Sequence, residues 1–190
     1  MNEHHVIKWL GMICILAGIA RIGMTPTSII WGTDSPQELT FGLIACILMS
    51  VGTIVTYTVQ SRETGVTGFI TTLAIIIANI VTTAMVWSQF TAVAGAPMPE
   101  GLVVNISRMI NMIGLMGGSL VFAILTFRAN VFPRWVPALL LLMILMLFIP
   151  VADNKFFAAF WGIAYVGMGY CVWAGKLNQS AAVRTESLKL

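Results

Sequence analysis

Six stretches of this chain, residues 6–25, 38–60, 67–93, 101–127, 136–152 and 156–175, are long, apolar and almost free of charge. An α-helix rises about 1.5 Å per residue, so roughly 20 apolar residues cross a hydrocarbon core about 30 Å thick. Inside that core the backbone finds no water, and every N–H and C=O must be paired within the protein. The expected fold is therefore all-α, a six-helix transmembrane bundle. Composition agrees: 58% of residues are hydrophobic, 9% are charged and the mean hydropathy is +0.93. A soluble domain of 190 residues could not bury that much apolar surface.

The segments between the runs read as connections. The first run follows Met-Asn-Glu-His-His and resembles the core of a signal peptide, but no small-residue cleavage site follows it, so it is read as a retained span. Thr25 to Gln37 holds Pro26, Gly32, Asp34 and Pro36, and these helix breakers predict the longest loop. Ser61 to Gly65, Gly95 to Gly101 and Asp153 to Lys155 are short enough to make consecutive helices antiparallel neighbours. Residues 1–175 then form one domain, and 176–190 form a polar cytoplasmic tail. Trp31, Trp87, Arg134 and Trp135 sit at run ends, where amphipathic side chains anchor the interface.

Basic residues near span ends set orientation. Lys8, Arg62, Arg128, Arg134, Lys176, Arg184 and Lys189 fall on one side of the expected topology, and Lys155 falls on the other. Both termini are expected in the cytoplasm of a bacterial-type inner membrane. This asymmetry also accounts for the net charge of +3, so no nucleic-acid partner is inferred from it. An inverted repeat of two three-helix halves would place equivalent residues at opposite faces. Arg21 and Arg108 both lie toward the outside and are not repeat mates.

Candidate chemistry is sparse. Cys14, Cys46 and Cys171 stand alone in different runs and read as small buried hydrophobes, while His4 and His5 precede the first run. No metal site, cofactor or catalytic residue is assigned, and apart from Glu38, the first residue of the second run, no run contains a carboxylate for a proton relay. Arginine within a span is costly and faces the bundle interior unless it snorkels or pairs. Arg21 reads chiefly as such a snorkelling or ion-paired residue. Arg108, about seven residues into its run, shares a helix face with Asn105 and Asn111. Asn79, in the preceding run, comes out at the depth of Asn111, which predicts a hydrogen bond between those helices. The functional alternative is an outward-facing pocket where Arg108 receives an anionic or carbonyl group. Asn111, Asn79 and Asn105 would lie close by, with Gln89 at the mouth and Arg21 assisting.

Two small-residue patterns, Gly114-x-x-x-Gly118 and Ala158-x-x-x-Gly162, predict close helix packing. The segment Gly117-Gly-Ser-Leu-Val-Phe-Ala-Ile-Leu-Thr-Phe-Arg128, with the turn Val131-Phe-Pro-Arg-Trp135 and the apolar helix after it, resembles small uncharacterised bacterial multi-span proteins that carry a Pro-Arg turn before the penultimate helix. The resemblance covers the last third of the chain; it implies a compact helical bundle and transfers no catalytic residue. Two functions are expected from the sequence. The first is a non-enzymatic accessory or regulatory component that docks membrane subunits, or a second copy of itself, through its small-residue faces. The second is a protein that binds or carries a lipid or a small anionic or amphipathic ligand.

Overall fold

The computed structural model describes residues 3–147 and 156–178. Among them the chain forms six helices: α1 (Glu3–Trp31), α2 (Pro36–Thr58), α3 (Ser61–Val93), α4 (Leu102–Ala129), α5 (Trp135–Leu147) and α6 (Phe157–Trp173). The first four are long and apolar enough to cross a membrane; α5 and α6 are shorter apolar helices. The Asp153-Asn-Lys155 turn and the tail beyond residue 178 lie outside the described residues.

Each helix packs on the next in sequence, and α6 closes the ring by packing on α1. Glycine makes the α1–α6 contact close. A Cβ on Gly18 would come within 2.5 Å of the Gly162 carbonyl, and one on Gly169 within 2.6 Å of the Gly11 carbonyl. Two glycine pairs, each seven residues apart, therefore run antiparallel against one another and let the backbones approach. The closed ring buries Cys14, Ala17, Met49, Ala164 and Met168, while the outer surface exposes large apolar side chains such as Ile19, Phe69, Ile80 and Val103. Such a surface is compatible with a membrane protein.

The first loop is shorter than expected. α1 continues through Pro26 to Trp31, and only residues 32–35 separate it from α2. Proline removes one backbone donor and bends the helix. Here the Thr27 hydroxyl donates to the Gly23 and Met24 carbonyls of the preceding turn at 2.8 and 3.0 Å, bonds beside the proline that do not reach the Ile22 carbonyl left without its donor. α2 then starts on Ser35, which accepts from the Glu38 N–H, with Pro36 in the first turn. The Ser61 to Gly65 connection is a helical turn rather than an open loop, broken by Gly65 at φ +55°.

α4 contains a π-helical turn, Ile113–Gly117, which the sequence reading did not anticipate. It ends at Asn130 in a left-handed conformation. The α4–α5 turn is fixed from the far end of the chain, where the Asn178 amide donates to the Asn130 carbonyl at 2.7 Å and its backbone N–H to the Val131 carbonyl at 2.8 Å. Gln60, at the α2–α3 junction, donates to Thr126 of α4 at 3.1 Å. One end of the bundle thus gathers the start of α1, the α2–α3 and α4–α5 turns and the end of α6. Lys176 lies just past α6; its hydrogen bond to Tyr170 holds the ammonium above its ordinary pKa.

Candidate functional site: a cavity at Arg21

Arg21 lies ten residues before the end of α1, because that helix runs six residues past the predicted span. At about 1.5 Å per residue this is a depth of roughly 15 Å. Arg108, six residues into α4, comes out at roughly 9 Å. Counted from the helix ends Arg21 is therefore the deeper of the two, whereas the run ends put it four residues in and Arg108 about seven. Burial follows the same order, for Arg21 is only 8% exposed while Arg108 and Asn105 are exposed.

The Arg21 guanidinium lies over the Trp161 ring of α6, 4.3 Å from its centroid, and Nη1 reaches the Cys46 sulfur of α2 at 3.9 Å. Its Nε is buried with no hydrogen-bond partner. Glu38, at the start of α2, is a described carboxylate whose field acts on it. An arginine held deep in a membrane costs about 2.5–3.5 kcal/mol on insertion scales, and a desolvated cation–π contact returns up to about 2 kcal/mol. A thiol sulfur at 3.9 Å adds little. Part of the capacity of this charge to form hydrogen bonds is therefore unused.

That charge borders a cavity of about 280 Å³ inside the ring. Arg21 and Trp161 form one wall, with Phe157 beside Trp161 at 5.4 Å between ring centroids. α4 supplies the opposite wall through Asn111, Met112, Leu115, Met116 and Ser119, and α5 adds Met143 and Ile144. Thr82 of α3 completes the lining. The π-helical turn lies within this wall, in keeping with the tendency of such turns to occur at functional sites. Gly114 allows the turn to press on α3, since a Cβ there would meet the Ala74 carbonyl at 2.8 Å.

Of the residues proposed from sequence, the cavity brings together Arg21 and Asn111. The expected α3–α4 hydrogen bond forms, but Asn111 donates to Thr82, one turn along from Asn79. Asn79 is fully buried and neither atom of its amide has a partner. Gln89 is half-buried and, like Arg108 and Asn105, is not in the lining. Gly114 and Gly118 face Ala78 and Ile75 of α3, Gly162 faces Gly18, and Ala158 is half-buried on α6. Trp31, Trp87, Arg134 and Trp135 are exposed.

Sequence reasoning did not single out Trp161 or Ser119. The signal available for Trp161 was the matched seven-residue glycine spacing. Gly18 against Gly162 sets Trp161 opposite the turn that carries Arg21.

A second, shallower groove of about 570 Å³ lies between α2 and α3, lined by Ser50, Thr83, Trp87 and apolar neighbours. Its two hydroxyls donate to Cys46 and Asn79 carbonyls of their own helices, so neither is free to donate to a ligand. Comparison with protein-family models, curated proteins and solved structures finds no match. The resemblance of the 117–135 stretch to small bacterial multi-span proteins therefore rests on those residues alone.

Proposed function

We propose that this chain is a multi-pass protein of a bacterial-type inner membrane that binds an amphipathic ligand bearing an anionic or strongly accepting group, with Arg21 as the receptor for that group. The observation that carries the reading is a deeply buried arginine, stacked on Trp161, at the wall of an otherwise largely apolar cavity. A charge in that setting gains most from an anion that is desolvated with it. Asn111, Thr82 and Ser119 supply neutral polar groups, and the methionines of α4 and α5 offer an adaptable apolar wall.

The membrane reading extends to six crossings with both termini cytoplasmic. It is supported by the basic residues Lys8, Arg62, Arg128, Arg134 and Lys176, which belong to the segments gathered at one end of the bundle. A role as an accessory subunit docking through small-residue faces is less well supported, because Gly114, Gly118 and Gly162 face helices of their own chain. Native mass spectrometry of the protein released from nanodiscs tests the binding reading. The wild type is expected to retain an anionic amphipath, and a protein that retains none and takes up none from a lipid extract would refute it.

A further inference from the structure

We infer that the ligand of the Arg21 cavity is a single-chain amphipath ending in a carboxylate, with its head on the guanidinium and its tail leaving past Met112 and Met116. The inference rests on reading the cavity as a binding site and adds the chemistry of the ligand.

Charge decides the head group. Among the described residues Arg21 is the one charged residue in the lining. A carboxylate carries one negative charge and matches the planar guanidinium fork, whereas a phosphate monoester approaches two charges at neutral pH. The second charge would be left among Met, Leu, Ile and Phe side chains with no counterion among the described residues of the wall, and burial without a partner disfavours it strongly. Stacking on Trp161 occupies a face of the guanidinium and Nε is closed off, which leaves the Nη groups as the donors for the ligand.

The neutral polar groups point to the same acceptor. The Thr82 hydroxyl donates to the Ala78 carbonyl at 2.7 Å and accepts from the Asn111 amide, so its single proton is already used. Asn111 keeps a second N–H. The Ser119 hydroxyl lines the cavity and makes no hydrogen bond among the described residues. Two spare donors and one cation therefore border a space whose ligand should present oxygen acceptors and no excess charge.

Size and exposure decide the tail. At about 280 Å³ the cavity is at the bottom of the roughly 300–1,000 Å³ range of small-molecule pockets and will not enclose a two-chain lipid. Met112 and Met116 line it and are also 58% and 38% exposed, so the cavity opens sideways at these residues. The N-terminal half of α4, Leu102–Met112, contains no buried residue and packs chiefly on α3, and no described residue covers this side of the ring. In a membrane that opening meets acyl chains, and a tail passing through it needs no further enclosure.

Binding of a matched panel to the full chain in phosphatidylcholine nanodiscs tests this, with dodecanoate, dodecanol, dodecyl phosphate and phosphatidylserine as probes at pH 8. Dodecanoate should bind at least about tenfold more tightly than dodecanol and dodecyl phosphate, and Arg21→Gln should weaken it about a hundredfold or more while sparing dodecanol. Ser119→Leu, which fills the cavity and leaves Arg21 in place, should exclude both, with an unchanged thermal transition showing that the fold persists. Phosphatidylserine, whose two chains the cavity will not enclose, should not compete with dodecanoate, and competition by it would overturn the single-chain assignment. Tighter binding of dodecyl phosphate or equal binding of dodecanol would overturn the carboxylate assignment and leave the cavity a binding site. Binding of none of the four would overturn both.

Discussion

Asn79 and Arg21 are two buried polar residues whose consequences differ. Asn79 is fully buried with its amide N and O both unpartnered, and it lies outside the cavity lining. Each unsatisfied group costs about 1–3 kcal/mol, so Asn79→Leu, bulkier but with the same heavy-atom branching and no polar atoms, should raise stability by about 1 kcal/mol in a reversible unfolding assay in bilayers. A loss of similar size would mean that the amide has a partner, such as a bound water. Arg21, by contrast, lines a cavity, so a bound anion can lie against its guanidinium even though Nε itself is closed off. Both residues were legible in the sequence as polar interruptions of apolar runs. Which one would face a cavity was not, because that depends on where α1 ends. Proline, glycine and aspartate between 25 and 37 are sound loop signals in water. Here the Thr27 hydroxyl satisfies carbonyls near Pro26, and six more residues of helix take Arg21 from a shallow to a deep position.

The helices themselves were legible because a bilayer asks only for length and apolarity, and the six described helices fall on the six predicted runs. Their mutual arrangement was less so. The π-helical turn of α4 follows from no pattern read in the sequence, and the α1–α6 contact joins glycines about 150 positions apart, which no local rule connects. That contact makes an element-scale prediction. A Cβ on Gly18 would lie 2.5 Å from a carbonyl oxygen and 2.7 Å from the Val166 backbone nitrogen, atoms that no side-chain rotation can move. Gly18→Ala should therefore force α1 from α6 and cost about 1–3 kcal/mol, the range for overpacking. Gly117, at φ −64° with nothing within 4 Å of its added Cβ, should accept alanine without loss. Thermal melting of the two variants is the check, and a larger loss for Gly117→Ala than for Gly18→Ala would contradict the packing described.

The whole molecule is a ring in which consecutive helices are neighbours and the last closes on the first, with a polar point inside an apolar wall. The proposed six crossings with both termini cytoplasmic would place Gly32 outside and Ser61 in the cytoplasm. A cysteine at Gly32 should be labelled by an impermeant maleimide on intact cells and one at Ser61 protected, whereas the opposite pattern would reverse the topology. The account turns finally on which arginine receives the ligand. Sequence spacing favours Arg108, and burial, the Trp161 contact and the cavity favour Arg21. The affinity of the retained anionic amphipath for Arg21→Gln and Arg108→Gln, measured side by side in nanodiscs by native mass spectrometry, separates them. Loss of a desolvated charge partner should weaken binding about a hundredfold or more in Arg21→Gln, while Arg108→Gln should stay within about fivefold of the wild type, as for an exposed charge. Wild-type affinity in Arg21→Gln, or the larger loss in Arg108→Gln, would contradict the assignment of the cavity.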